Sequence, residues 1–357
     1  MAVSFAALGG WSGVLARLVN GEPLTSEEAF CAFDIVLKGE ATEAQVAAFA
    51  IALRTKGETV DEIVGLVRAL FAHAEALEID GDPLDVVGTG GDRLGSINVS
   101  TLAALIAAGA GARVCKHGNR GASSSVGTAD VLEALGVVAD LAPQGVAACI
   151  SEAGMGFCFA PRFHPGYRHA AGVRRQLGVP TVFNFLGPLA NPAHVRRQLV
   201  GVSDPSMAEK MARVLGATGS VRAMVLYADD GLDELSVTAP STIVDLIGDG
   251  TDFELSTRRL DSLDLGFSRS TLSELSGGDA AFNAAAIRAV LEGKTGPHRD
   301  IGVLNAAAAL VVAGRVDDMA HGVEAACQAL DSGAAARVLA ALACASVAEA
   351  ARVVGLK

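Results

Sequence analysis

The sequence predicts an α/β protein that combines a small all-helical domain, residues 1–78, with a larger domain, residues 79–357, which has a mainly parallel central sheet flanked by helices. Two observations carry this prediction. The N-terminal part shows helical periodicity and capping signals, and apolar strand patterns alternate with helical patterns from Asp85 onward. Strands that alternate with helices pair in parallel, and the helices then cover both faces of the sheet.

Capping boxes mark the beginnings of helices in the N-terminal part. A threonine is followed three residues later by Glu or Gln at Thr25, Thr42 and Thr59. In this arrangement the hydroxyl accepts from a first-turn N–H, and the later side chain reaches back to the backbone. Gly39 and Gly57 each follow a basic residue and predict helix ends.

Short apolar segments separated by helical patterns predict the sheet of the larger domain. The strand candidates are Leu84–Val87, Arg113–Cys115, Gly156–Ala160, Arg222–Tyr227 and Ile243–Ile247. Helices are predicted near 100–109, 124–135, 144–152 and 205–215, and residues 279–357 are read as Ala-rich helices that flank the sheet. Ligands of such sheets bind beyond the carboxyl ends of the strands, so the loops after the strands are candidate binding loops.

The segment 161–192 is rich in Pro, Gly, Asn and Arg and interrupts the strand–helix alternation. We expect it to return the chain to the helical domain and back. Part of residues 165–200 would then complete that domain, which would be discontinuous in sequence.

Composition excludes several classes of function. The net charge of −12 makes general nucleic-acid binding an improbable main role, and any anion site must be a local positive pocket. The six cysteines include no C-x-x-C pair, so we expect buried thiols rather than a zinc site or a disulfide framework. Apolar runs are broken by charge or glycine, and no signal peptide is evident. We therefore expect a cytoplasmic protein that binds neither nucleic acid nor membrane.

The segment 85–128 has the features of a site for a ligand with more than one phosphate. Its first strand leads into a turn with Gly88, Gly90 and Gly91, where the backbone can approach a ligand and direct N–H groups toward it. Asn98 and Ser100 then stand at a predicted helix start, where either one can cap the helix and also hold a phosphate. The glycine spacing differs from the dinucleotide and Walker A patterns.

The sequence Lys116–Arg120 follows the next strand and is difficult to explain by stability alone. Two cations flank a glycine and an asparagine there, and serines from Ser123 to Ser125 follow at another predicted helix start. Because this loop lies at the same sheet edge as the glycine turn, the sequence predicts a second phosphate cradle beside the first.

Asp233 and Glu234 are adjacent carboxylates in a loop after a predicted strand. Such pairs are usually solvated surface groups. Beside a polyphosphate they would instead hold Mg²⁺, which prefers carboxylate oxygens together with phosphates and water. We favour the metal because the phosphate site is predicted independently.

These motifs together resemble those of the anthranilate phosphoribosyltransferases, enzymes of tryptophan biosynthesis. The matching segments are GTGGD at Gly88–Asp92, NVST at Asn98–Thr101, KHGNR at Lys116–Arg120, LDE at Leu232–Glu234, HPGYRHAAGVRRQLG from His164 and FNFLGPLANP from Phe183. GTGGD alone is shared with pyrimidine nucleoside phosphorylases, and the other segments separate the two. The resemblance implies the nucleoside phosphorylase-like fold, distinct from Rossmann-type phosphoribosyltransferases, with residues 79–357 as the phosphoribosyl-donor-binding domain.

The resemblance also implies site residues. It implies phosphoribosyl pyrophosphate (PRPP) binding by Gly88, Gly91, Asp92, Ser96, Asn98, Val99, Ser100, Thr101, Lys116, His117, Gly118, Asn119, Arg120, Ser123, Ser124 and Thr128. It implies anthranilate binding by Gly88, Asn119, His164, Tyr167 and Arg174, and Mg²⁺ binding by Ser100, Asp233 and Glu234. The catalytic residues would be Lys116, His117, Asp233 and Glu234.

The implied reaction is attack of the anthranilate amine on C1 of the ribose while pyrophosphate leaves, giving N-(5-phospho-β-ribosyl)anthranilate. Whether His117 acts as a base or only orients the substrate is open at this point, since geometry must precede such an assignment. A pyrimidine nucleoside phosphorylase and a non-catalytic nucleotide-binding relative are the alternatives. The resemblance further implies a homodimer through the helical domain, with the faces of helices 27–38 and 43–55 as candidates.

Overall fold

Capped helices form the N-terminal part of the structure, a computed structural model that describes residues 4–121 and 126–355. They are α1 (Gly10–Val19), α2 (Ser26–Leu37), α3 (Glu43–Lys56) and α4 (Val60–Ala72). Thr25, Thr42 and Thr59 form the predicted capping boxes, each with both reciprocal hydrogen bonds. Helix α1 lies within the predicted helical domain, but no capping box marks its beginning, because it follows Gly9, which provides no capping side chain.

A single sheet organises the rest of the described chain. Its strands are β1 (Leu84–Gly88), β2 (Val114–Gly118), β3 (Met155–Phe159), β4 (Arg197–Gly201), β5 (Arg222–Ala228), β6 (Ser241–Gly248) and β7 (Phe253–Leu260). The order is β3-β2-β1-β4-β5-β6-β7, with β1 to β5 parallel and β6 and β7 antiparallel. The predicted, mainly parallel sheet is confirmed, although the sequence analysis did not identify β4 or β7.

Helices connect and cover these strands. They are α5 (Val99–Gly109), α6 (Thr128–Ala134), α7 (Pro143–Ala153), α8 (Ala160–Phe163), α9 (Arg168–Leu177), α10 (Leu186–Leu189), α11 (Ala208–Ala217), α12 (Ala280–Leu291), α13 (Pro297–Val312), α14 (Met319–Asp331) and α15 (Ala334–Gly355). The helix predicted near 124–135 begins at Thr128, and its predicted first residues, 124 and 125, lie outside the described part.

The two faces of the sheet belong to two different hydrophobic cores, because side chains alternate along each strand. Val86 and Leu199 face a core formed with α5, α13 and α15. Val87 and Val200 face a second core that includes residues of α2, α3, α4 and α11. Residues of α9 and of the segment that follows it, such as Val173, also belong to this second core, and α9 contacts α2 and α3.

Helix α15 tests the expectation that charge or glycine interrupts each apolar run before it is long enough to span a membrane. Its stretch Ala334–Arg352 is long and apolar enough to cross a membrane by length and composition, although only 22% of its most apolar window is buried. Leu342 and Ala345 pack in the core with α5, and α15 contacts α7. Arg337 and Glu349 still interrupt this stretch, so its longest run without charge or glycine, residues 338–348, falls short of spanning length.

The six cysteines form no disulfide, but not all of them are buried. Cys115, Cys149 and Cys158 lie in the core, as predicted. Cys31 and Cys327 are partly buried, and Cys344 is exposed. The prediction of six buried thiols is wrong for Cys344, which lies on the outer side of α15.

Candidate active site

Glycines let the loop that carries Asp233 lie across the ends of β1 and β4. Gly88 and Gly201 are paired neighbours at the carboxyl ends of these strands. A Cβ atom at Gly88 would lie 2.6 Å from Asp233 Oδ2, and one at Gly201 would lie 1.6 Å from the Asp233 carbonyl oxygen. The backbone N–H of Gly90, in the predicted phosphate turn, donates to Asp233 Oδ2 at 2.7 Å. The predicted phosphate turn and the predicted metal loop are therefore in direct contact.

Three carboxyl groups meet at this contact, and they perturb one another. Burial and the neighbouring charge of Asp92 raise the pKa of Asp233 to about 7. Burial, together with the charge of Asp233, raises the pKa of Glu234 well above its usual range. Burial also raises the pKa of Asp92. Clustered carboxyl groups whose charged forms are disfavoured in this way are stabilised as anions by a cation.

Lys116 lies beneath these carboxyl groups and is only 1% exposed. Its ammonium group donates to Ser100 Oγ at 3.1 Å and to a backbone carbonyl of β1. Burial lowers the pKa of Lys116, whereas the negative charges of Asp85, Glu234 and Asp233 act in the opposite direction. The structure thus brings together the three predicted metal ligands and the predicted catalytic lysine.

Asp85 is a central residue that the sequence analysis did not include. Its Oδ1 accepts from the His117 N–H at 3.0 Å, and its Oδ2 accepts from Asn191 Nδ2 at 2.9 Å. Asn191 also donates to the Cys115 carbonyl at 2.8 Å. Burial raises the pKa of Asp85 to about 6, against the effect of Lys116. An aspartate inside an apolar strand is itself a signal, because carboxylates are rarely buried without partners.

His117 and His164 form a buried pair with ring centroids 5.3 Å apart. His117 Nδ1 lies 3.0 Å from the Gly187 carbonyl, and His164 Nε2 lies 2.7 Å from the Ala190 carbonyl. Because a carbonyl only accepts, each of these ring nitrogens carries the proton. Burial lowers the pKa of His117 to about 3 and that of His164 to about 4, so both rings are neutral at pH 7. His117 Nε2 has no hydrogen-bond partner in the described residues, whereas the backbone of Leu70 acts on the His164 ring besides that of Ala190.

Arg174 and Tyr167 lie on and beside α9, in the segment that packs against the helical bundle. The guanidinium carbon of Arg174 lies 5.4 Å from the centre of the Tyr167 ring. The Tyr167 hydroxyl donates to the Phe183 carbonyl at 2.7 Å, and burial raises its pKa. No hydrogen bond or ion pair engages the Arg174 guanidinium within residues 4–121 and 126–355. This group is therefore available for an external anion.

Asn98 occupies the N-cap position of α5, but its side chain makes no capping hydrogen bond. Its Oδ1 accepts from Asn283 Nδ2 at 2.9 Å, and its Nδ2 donates to the Val126 carbonyl at 3.4 Å. Of the two candidate caps, Asn98 and Ser100, Asn98 therefore occupies the N-cap position, but it does not cap α5 through its side chain. The other predicted donor-site residues of this region, Gly91, Ser96, Val99 and Thr101, lie in the loop before α5 and in its first turn.

The loop after β2 is held to α6. The Arg120 guanidinium pairs with Glu133 at 2.7 Å and with Asp130 at 3.0 Å, and Asn119 Oδ1 accepts from the Arg120 N–H. The predicted phosphate role of Arg120 stays a prediction, since carboxylates already engage this side chain. A Cβ at Gly118 would lie 3.1 Å from that of Thr128, so these two predicted residues are in contact. Ser123 and Ser124 lie outside the described residues.

Asn305 of α13 is a second residue that the sequence analysis missed. It is fully buried, its Oδ1 accepts from the Leu235 N–H at 2.9 Å, and its Nδ2 donates to the Leu235 carbonyl at 2.8 Å. One amide thereby holds both backbone groups of the residue that follows Glu234. A lone asparagine in an Ala-rich helix has no sequence pattern that would reveal this contact.

The fold and the site define a class of protein, and comparison with known proteins agrees. A helical bundle domain and an a/b domain are the two domains of a glycosyl transferase family. Residues 12–74 match the helical bundle domain of that family, and residues 80–336 match its a/b domain.

Individual relatives narrow this class. The chain is 51% identical to anthranilate phosphoribosyltransferase from Arthrobacter sp. over 335 residues, which cover 92% of this chain and 94% of the relative. The crystal structure of the Thermus thermophilus enzyme of that name superposes with a TM-score of 0.87 at 40% identity, covering 93% and 99% of the two chains. The Saccharomyces cerevisiae enzyme in complex with PRPP and Mg gives a TM-score of 0.85 at 26% identity, covering 95% and 98%. The chain belongs to the anthranilate phosphoribosyltransferase family.

Proposed function

We propose that this protein transfers the phosphoribosyl group of PRPP to the amine of anthranilate, giving N-(5-phospho-β-ribosyl)anthranilate and pyrophosphate, the second step of tryptophan synthesis from chorismate. One observation carries the proposal: a buried lysine and clustered carboxyl groups meet the phosphate turn, on a chain that also offers the unpaired Arg174. The lysine and the carboxyl groups suit a metal-bound pyrophosphate, and the Arg174 guanidinium suits an aromatic carboxylate.

The carboxyl groups and the serine hydroxyl fit Mg²⁺ because all of their donor atoms are oxygens. Asp233, Glu234 and Ser100 would hold the ion, and its charge would offset the repulsion that raises the two carboxyl pKa values. When bound, Mg²⁺ neutralises charge on the pyrophosphate. Within residues 4–121 and 126–355 no group of three His, Cys, Asp or Glu side chains is arranged to hold a metal ion. Mg²⁺ commonly takes one or two carboxylates together with substrate phosphates.

Lys116 would stabilise the negative charge that develops on the leaving pyrophosphate. Its burial keeps it out of water, where an electrostatic contact is stronger than at a surface. Asp85 would position His117 and Lys116, because it binds the backbone of His117 and its charge favours the ammonium form of Lys116. The attacking aromatic amine is already neutral at pH 7, so positioning and charge stabilisation can account for most of the rate enhancement.

His117 would orient the acceptor rather than take its proton. A ring whose pKa is lowered to about 3 is a weak base at neutral pH. Its Nε2 lone pair is buried and without a partner in the described residues, so it can accept a hydrogen bond from a substrate N–H. This favours the orienting alternative of the two that the sequence left open.

Arg174 would bind the anthranilate carboxylate, with Tyr167 and His164 lining the approach. A guanidinium fork matches the two oxygens of a carboxylate, and its position over the Tyr167 ring leaves its edge available. The remaining residues that the resemblance implies keep their predicted roles toward the donor, and Asn119 and Gly88 toward both substrates.

We extend the proposal to the organisation of the protein. The helical domain would comprise residues 1–78 with part of 165–200, and the donor-binding domain residues 79–357. Two chains would form a homodimer through α2 and α3, and the exposed Ile51 on α3 supports this face. The protein would work in the cytoplasm, without nucleic-acid or membrane partners.

A fluorescence assay tests the proposal. Anthranilate fluorescence should fall when PRPP, Mg²⁺ and the protein are all present, with release of one pyrophosphate per anthranilate consumed. Omission of each component in turn provides the controls. Phosphate-dependent cleavage of a pyrimidine nucleoside, with no consumption of anthranilate, would instead identify a nucleoside phosphorylase. PRPP binding without any turnover would identify a non-catalytic relative.

A further inference from the structure

We propose that Asn283 of α12 is a positioning residue of the donor site, which orients Asn98 so that Asn98 presents an N–H group rather than an oxygen to a phosphate. The proposal rests on the proposed function, because it assigns the phosphate to PRPP. Asn283 lies 185 residues from Asn98 in sequence, and none of the sequence motifs includes it.

The orientation of the Asn283 amide is determined by its backbone partner. Asn283 is 2% exposed, and its side-chain oxygen lies 2.8 Å from the backbone nitrogen of Gly278. A backbone N–H can only donate, so the oxygen of Asn283 must face it. The Nδ2 group of Asn283 therefore faces Asn98, at 2.9 Å, and Asn98 must offer its own oxygen in return.

This contact changes what Asn98 does at the beginning of α5. A side-chain oxygen in the N-cap position normally accepts from first-turn N–H groups and occupies them. Here the oxygen is turned away to Asn283, no capping bond forms, and the backbone of Ser100 hydrogen-bonds Glu234 instead. One N–H of Asn98 Nδ2 faces the Val126 carbonyl at 3.4 Å. The second N–H and the positive end of α5 can then act on the same anion.

A short ladder holds Asn283 in place beside the donor loop. The Ile97 N–H donates to the Leu275 carbonyl at 3.2 Å, and the Gly277 N–H donates to the Gly95 carbonyl at 2.7 Å. Ser96 and Ser276 form an isolated antiparallel bridge between these bonds. A Cβ at Gly277 would lie 2.7 Å from both the Ser96 carbonyl and Asn283 Oδ1, so the two segments approach as closely as a glycine allows.

The decisive variant is Asn283→Leu, which keeps the shape of the side chain and removes its hydrogen bonds. Gly278 is exposed, so water can replace its lost partner. Asn98 loses the shorter of the two hydrogen bonds that orient its amide and keeps only the one to the Val126 carbonyl, at 3.4 Å. We expect the Kd of PRPP in the presence of Mg²⁺, measured by isothermal titration calorimetry, to rise about tenfold, which corresponds to about 1.4 kcal/mol. The KM of anthranilate should stay within about twofold.

The matched control is Arg288→Ala on the same helix, which removes one hydrogen bond to the Ala134 carbonyl, away from the donor loop. It should leave PRPP binding unchanged. In a double-mutant cycle with Asn98→Ala, Asn283→Leu should add little to the loss that Asn98→Ala already causes. A purely structural role for Asn283 would instead weaken binding in both backgrounds equally.

The proposal is overturned if Asn283→Leu binds PRPP like the wild type, or if its effect adds fully to that of Asn98→Ala. If Asn283→Leu fails to fold, Asn283→Asp decides, since it keeps the acceptor for Gly278 but cannot donate to Asn98. Wild-type affinity for PRPP in Asn283→Asp also overturns the proposal. Failure of the proposed function is a separate result, because it would appear in the wild-type protein itself, as an absence of PRPP binding or of turnover.

Discussion

Replacement of Asn305 by leucine should destabilise the protein far more than the same replacement at Asn283. Both residues are buried asparagines on C-terminal helices, and leucine matches the shape of asparagine at both positions. They differ in the groups that lose their partners. Asn305 serves both backbone groups of Leu235, which is 0% exposed, whereas Asn283 serves the exposed Gly278.

The magnitude follows from these partners. In Asn305→Leu, the buried N–H and carbonyl of Leu235 lose their hydrogen bonds, and each such group costs about 1–3 kcal/mol. The Ile301 carbonyl, which Asn305 also contacts, keeps its partner within α13. We therefore expect a loss of about 2–6 kcal/mol in the free energy of unfolding. In Asn283→Leu, water can bind the Gly278 N–H, so the loss in the free energy of unfolding should be only about 1 kcal/mol.

Urea-induced unfolding followed by far-UV circular dichroism measures both values, with the slope against urea concentration as a check on the denatured state. Because Leu235 directly follows Glu234, Asn305→Leu should also raise the Mg²⁺ concentration needed for half-maximal turnover. If Asn305→Leu unfolds at the same urea concentration as Asn283→Leu, the reasoning from buried, unpaired backbone groups is refuted.

Three further predictions concern the chemistry. Arg174→Ala should raise the KM of anthranilate about tenfold to a hundredfold, as expected for a lost charged contact, with little change in the KM of PRPP. Arg175→Ala is its control. Equal effects on the KM values of both substrates would make Arg174 a structural residue. Asp233→Asn with Glu234→Gln should nearly abolish Mg²⁺-dependent turnover, and an unchanged response to Mg²⁺ would exclude these ligands. His164→Gln should lessen the acid sensitivity of the fold. The unfolded chain protonates His164 below pH 6.5, whereas the folded protein does so only near pH 4. The free energy of unfolding of the wild type therefore falls as the pH falls through this range. Between pH 6.5 and about 5 the wild type should lose about 2 kcal/mol more than the variant, and parallel curves would contradict this.

The sequence revealed the elements whose signals are local. Capping boxes at Thr25, Thr42 and Thr59 located three helices, and apolar runs located the strands that lead into the phosphate turn and the lysine loop. Strand β4 escaped notice because it begins with the polar residues Arg197 and Gln198 and follows a Pro-rich segment, although it pairs with β1 at the centre of the sheet. Strand β7 contains four consecutive polar residues, 256–259, and lies at the edge of the sheet, so its apolar signal is weak.

The candidate site divides in the same way. Residues that would touch a ligand stand in motifs, because glycines, lysine and paired carboxylates follow strands closely in sequence. Residues that hold those motifs in place do not. Asn283 and Asn305 are lone polar side chains in helices, and their roles depend on contacts with segments that precede them by 185 and 70 residues. No spacing rule predicts such contacts, because they arise only when α12 and α13 pack.

These two asparagines also have a consequence for biosynthesis of the chain. Every predicted ligand residue precedes Leu235, whereas Asn283 and Asn305 follow it. On the ribosome, the whole set of binding loops is therefore translated before the side chains that secure two of them exist. The nascent chain can begin to assemble its helical bundle early, because α2, α3 and α4 carry their own capping boxes. Competence to bind substrates must wait until α12 and α13 have emerged and docked.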